Sequence, residues 1–127
     1  MKHRGRISRF AHVPSHHGYG FDALAIYVVE FSNGIVKIGL TYHPRRRMAE
    51  LSRRASRVGV KVQRVYASTA LGRVAAKATE DALIVRLGRM ANPCRRTQEF
   101  FSHTRFGAAA TLARQMVARA EPAKAVA

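Results

Sequence analysis

AIYVVEFSNGIVKIGLTYHPRRR, residues 25 to 47, decides the fold. With Leu24 in front, LAIYVVEF is dense in β-branched and aromatic side chains, which fit a pleated, buried surface. Ser32-Asn33-Gly34 interrupts the run with turn chemistry, and IVKIGL then resumes it, so a β-hairpin with strands over 24–31 and 35–40 is predicted. Alternate strand residues share a face: Ala25, Tyr27 and Val29 point one way, and Lys37 points with Ile35 and Gly39, opposite to Val36, Ile38 and Leu40. Gly39, ending the second strand without a side chain, is expected to leave open space beside its neighbours. Thr41 or His43 then caps a helix that opens with Pro44 and buries a stripe of Met48, Leu51 and Ala55. Tyr27, Lys37 and Arg47 thus fall ten residues apart on adjoining elements, a phenol, an amine and a guanidinium able to meet around one phosphate.

Downstream, residues 60–68 alternate apolar and polar, which predicts a third strand with an irregularity near Arg64. A helix over 70–87 is expected to bury a line of Leu71, Val74, Ala78, Ala82 and Val85, with Leu83, Ile84 and Leu87 extending the apolar surface and Gly88 as the stop. Arg73, Lys77 and Asp81 mark its wetter flank. A basic loop over 89–97, a short strand over 98–102 and an amphipathic helix over 104–120 with Phe106, Leu112, Met116 and Val117 complete the order. Residues 1–22 read as a flexible basic arm carrying Lys2, Arg4, Arg6 and Arg9, and 121–127 as a disordered tail. The fold class is α+β: a small three-stranded mixed or antiparallel sheet flanked by helices, with an extra short strand and a C-terminal helix.

Composition narrows the partner. Within 127 residues, 23 Lys and Arg stand against 7 Asp and Glu, a net charge of +16, so the folded surface is positive almost everywhere. A polyanion is the expected partner, because each neutralised phosphate releases counterions. His43, Arg45, Arg46, Arg53, Arg54, Arg95 and Arg96 are the candidate contacts, on the first helix and the basic loop. One cysteine, Cys94, excludes an internal disulfide framework and fits a reducing cytoplasm. No run approaches the ~20 apolar residues of a membrane span. The histidines lack carboxylates or thiolates at zinc-ligand spacing.

Hydrolysis of a phosphodiester needs a deprotonated nucleophile, a cation for the developing charge and help for the leaving oxygen. A metal ion held by a carboxylate meets the last two needs. With so few acids in the chain, Glu80, bordering an apolar helix surface, and Glu99, in Gln98-Glu99-Phe100-Phe101, are the informative carboxylates. Each is also suited to pairing with an arginine.

Taken in order, these residues resemble the GIY-YIG nuclease domain, and more closely its compact phage T5 Orf172-like branch. Ala25-Ile26-Tyr27 stands for the first tripeptide, Lys37-Ile38-Gly39 for the second, Arg47 for the helical arginine and Glu80, within ATEDALIVRL, for the metal-holding glutamate. Glu99-Phe100-Phe101 is similar to the closing strand, and the resemblance covers residues 24 to 103 within a domain of 23–120. Ala25 replaces a glycine and Lys37 a tyrosine, and Leu51 stands where the wider family has a histidine. The resemblance implies single-metal hydrolysis of DNA, duplex or branched. Tyr27, adjusted by Lys37, would be the base; Arg47 would grip the scissile phosphate; Glu80 would hold one Mg2+ or Mn2+. The alternatives are a non-catalytic DNA-binding module of the same fold and, on charge alone, an RNA-associated structural protein. A phage or mobile-element origin, with a cytoplasmic or nucleoid location, fits the small basic form by analogy.

Overall fold

The structure, a computed structural model, describes residues 10, 12–14, 23–88, 92–93, 100–102 and 105–120. The expected hairpin is formed by β1 (Ala23–Phe31) and β2 (Val36–Thr41), so the second strand continues two residues past Gly39. Its turn is closed by backbone bonds from Phe31 N to Ile35 O and from Gly34 N to Phe31 O, both 2.9 Å. Asn33 Oδ1 accepts from Ile35 N at 3.1 Å, and Gly34 takes φ 85°, a left-handed conformation that favours glycine.

Helix α1 (Pro44–Arg57) follows, then β3 (Val62–Ala67), β4 (Leu71–Gly72), α2 (Arg73–Gly88), β5 (Asn92–Pro93), β6 (Phe100–Ser102) and α3 (Phe106–Arg119). The sheet order is β3-β1-β2-β6-β5, with β4 on the first residues of β1, and every pairing is antiparallel. This is the α+β class the sequence predicts, enlarged by two strands of two residues each, too short to show a period.

β1 is central and covered on both faces, which is why it reads as a nearly unbroken apolar run. On one face Tyr27, Val29 and Phe31 pack with Met48, Leu51 and Ala55 of α1, and with Val62. On the other, Leu24, Ile26, Val28, Val36 and Ile38 meet Leu71, then Ala76, Leu83 and Leu87 of α2 and Ala109 and Ala113 of α3. The irregularity near Arg64 is a bulge: Glu30 pairs with Arg64 but Phe31 with Val62, leaving Gln63 as the extra residue. The bulge lets Val62 and Val65, an odd number of residues apart, both face α1.

Two expectations are corrected. The line expected on α2 is not buried: Val74 is 84% and Val85 55% exposed, while Ala76, Glu80, Leu83 and Leu87 face inward. Apolar residues surround this helix, so periodicity alone selects no face, and the bulk of Leu83 and Leu87 fills the space over the sheet. Leu71 is buried, but as part of β4. The space expected beside Gly39 is also not open, as the site geometry below explains. Within the stretch read as a flexible arm, Phe10 and Val13 are buried in the α1-side core, 6% and 1% exposed. Arg45 Nε donates to Val13 O at 2.7 Å. Lys2, Arg4, Arg6 and Arg9, like the 121–127 tail, lie outside the described residues.

Candidate nucleic-acid interface and active site

Strand register assembles the first part of the site. Tyr27 pairs with Gly39 and Val29 with Lys37, which puts Tyr27 and Lys37 on the face that α1 covers. The Tyr27 ring lies across Gly39, where a Cβ would overlap the ring's Cζ and hydroxyl. Glycine at 39 is therefore a seat for Tyr27, which is 3% exposed. Lys37 Nζ stands 5.8 Å from the centroid of the same ring, within cation–π range. Ala25, Ile26 and Ile38 of the two tripeptides are fully buried and serve the core.

The start of α1 supplies the second part. Thr41 Oγ1 accepts from His43 N at 3.0 Å, and Pro44 fills the first helical position; His43 is the N-cap but makes no side-chain capping bond. Arg45, Arg46 and Arg47 then occupy the first turn with no acid among them. Cations at this end oppose the helix dipole, an arrangement an incoming anion relieves. Arg47 is half-buried: Nη1 reaches Glu50 Oε1 at 3.5 Å, while Nε is enclosed and makes no hydrogen bond among the described residues.

The first turns of α1 and α2 face one another across a cleft of about 520 Å³ at the open end of the hairpin. Leu24, Leu40 and Thr41 floor it, and Arg46, Arg47, Arg73 and Lys77 line its walls against a single carboxylate, Glu50. Tyr42 and His43 complete the rim. Pairing of Ala23 with Gly72 and of Leu24 with Leu71 delivers α2 to this place. The sequence marks Arg73 and Lys77 only as a wet flank of this helix. Their one-turn spacing at a helix start was the available signal, but their meeting with Arg47 depends on β4, which no local pattern announces.

Glu80 lies on the inward side of α2, 4% exposed, and is not part of the cleft lining. It connects to the cleft through Lys77, whose Nζ is 3.2 Å from Glu80 Oε1 and 3.3 Å from Asp81 Oδ1. The hydrogen bond and charge of Glu80, then those of Asp81, raise the Lys77 pKa. Of the four expected residues, Tyr27 and Lys37 therefore meet under α1, Arg47 lines the cleft, and Glu80 lies behind it, joined to the cleft through Lys77. Arg45, Arg53 and Arg54 are exposed on α1, while Arg95, Arg96 and Glu99 lie outside the described residues. Among the described residues no three His, Cys, Asp or Glu side chains gather as a metal cluster. A magnesium-like ion needs only one or two carboxylates when water and substrate phosphate supply the rest, so Glu80 fits such an ion if Lys77 gives up its oxygen.

A central antiparallel hairpin followed by a helix, with two more helices on the opposite face of the sheet, is consistent with a GIY-YIG-like, nuclease-associated domain. Residues 24–121 match the T5orf172 domain, and the chain belongs to that family, a class of nuclease-like, nucleic-acid-binding modules. The match runs through α3, beyond the 24–103 resemblance seen in the motifs. No curated protein and no solved structure matches the chain.

Proposed function

We propose that this protein is a metal-dependent DNA endonuclease or nickase that hydrolyses one phosphodiester bond through Tyr27, Lys37, Arg47 and Glu80, with the DNA backbone gripped at the cleft between α1 and α2. The observation that carries the reading is the cleft wall of Arg46, Arg47, Arg73 and Lys77, beside the family's glutamate, in a chain of the T5orf172 family. Arg47 binds the scissile phosphate through its planar donors, and its enclosed Nε, without a hydrogen bond among the described residues, is a donor left over for that phosphate. Tyr27, held by Gly39 beneath and Lys37 beside it, takes the proton of an attacking water, with Lys37 orienting and polarising the phenol. Glu80 would hold one Mg2+ or Mn2+, which when bound supplies charge stabilisation to the leaving oxygen. Arg73 and Arg46 engage neighbouring phosphates. Supercoiled plasmid incubated with protein and Mg2+ or Mn2+ is expected to become relaxed or linear. Glu80→Ala and Arg47→Ala should abolish the conversion; equal cleavage by Glu80→Ala removes the reading.

A second reading, a DNA-binding module without turnover, has an observation of its own. Tyr27 and Glu80 do not line the cleft, and Lys77 already engages Glu80. This reading predicts steep salt dependence, a slope of about −0.9 per phosphate contact on duplex, with no cleavage in any metal. Metal-dependent turnover separates the two.

A further inference from the structure

Lys77 belongs to two environments at once. Its ammonium contacts the Glu80 and Asp81 carboxylates, and the same residue lines the cleft beside Arg46, Arg47 and Arg73. An exposed ion pair on a helix is worth little, because water solvates both partners well. The Glu80 side chain is different: only 5% of it is exposed, against 64% for Lys77. A carboxylate withdrawn from water needs a compensating charge, and Lys77 brings one in from the cleft side.

We propose that Lys77 is a built-in counter-ion of Glu80, and that its ammonium and a divalent cation exclude one another on that carboxylate. The inference rests on reading Glu80 as the metal-holding residue. In the free protein the lysine holds the seat; for a metal ion to enter, Nζ must swing away. Asp81, one position further along the helix, already offers it a second partner, and a phosphate in the cleft would offer a third. The free protein then has a weak affinity for divalent ions, set by competition with its own side chain.

The test is Mn2+ binding and thermal unfolding of the full chain, compared among wild type, Lys77→Met, Lys77→Gln and the double variant Lys77→Met/Glu80→Gln. Both single variants are expected to bind Mn2+ at least about tenfold more tightly than wild type by titration calorimetry. Each should melt below wild type in EDTA and gain about 5 °C or more in saturating Mn2+. The double variant should lose that response. Equal Mn2+ affinity in wild type and both single variants overturns the proposal, as does a response that survives in the double variant. A single variant that folds only in Mn2+ supports it; failure of both to fold in either condition overturns it, because a metal ion then cannot replace the ammonium. Tightened Mn2+ binding without plasmid cleavage leaves the counter-ion role standing and removes the nuclease reading. Cleavage by wild type with unchanged Mn2+ binding in the variants does the reverse.

Discussion

Tyr27 lies flat across Gly39, its partner in the hairpin register, so that the backbone of one strand serves as the support for a ring on the other. The ring has little room to retreat, because Val29, Met48 and Val13 share its buried cluster. Gly39→Ala should therefore destabilise the fold by about 1–3 kcal/mol, the usual effect of overpacking. Urea denaturation checks the size, and Tyr27→Leu in the same chain should recover part of the loss. Simple additivity of the two changes would separate the residues energetically and sink the argument.

Phe10 and Val13 are part of the α1-side core. Phe10→Ala is expected to cost about 3–5 kcal/mol, as for other buried aromatics. Deleting residues 1–14 should in addition release Arg45 from the Val13 carbonyl. A truncated chain with unchanged melting temperature would show the contact to be dispensable.

The crowding of Arg45, Arg46 and Arg47 at the start of α1 sets stability against binding. Arg46→Glu should stabilise the free protein by about 0.3–1 kcal/mol through the helix dipole. The same change should weaken duplex binding sharply, and both effects are readable from one purified variant by thermal melting and fluorescence anisotropy.

Salt titrations locate the phosphate path. Arg47→Ala and Arg73→Ala should each reduce the slope of log affinity against log salt by about one contact on duplex DNA. Arg57→Ala, at the far end of α1, should leave it nearly unchanged. Equal effects at all three positions would mean that charge acts diffusely and that the cleft has no special part.

Alkaline pH should weaken the fold. Burial raises the Tyr66 pKa, with Arg114 pulling the other way, and the Glu80 and Asp81 contacts raise that of Lys77. A group whose pKa is raised on folding contributes stability that is present below its unfolded pKa and lost as pH climbs through the folded one. The unfolded values are 10.0 and 10.5, so the decline falls above pH 10. Tyr66→Phe should flatten it in urea midpoints measured across that range.

Much of this architecture was legible in the residues because its signals are local. Asn33-Gly34 marks the turn, and Pro44 with Met48, Leu51 and Ala55 marks α1 and its buried side. The inward face of α2 was not legible, because valines and alanines ring that helix and only the shape of the sheet chooses between them. Nor was the cleft. Arg73 and Lys77 reach Arg46 and Arg47 through the pairing of Leu71 with Leu24, a contact between distant parts of the chain. Gly39 carried its message in the sequence, but the message was a platform for an aromatic ring rather than a gap.

Both jaws of the cleft hang from the first three residues of β1. Ala25 pairs with Thr41, three residues before α1 opens at Pro44, and Ala23 pairs with Gly72, immediately before Arg73 opens α2. Such short tethers place the openings of both helices beside the same end of β1. The register of one strand thus fixes where both helices begin, and with them the span between Arg47 and Arg73.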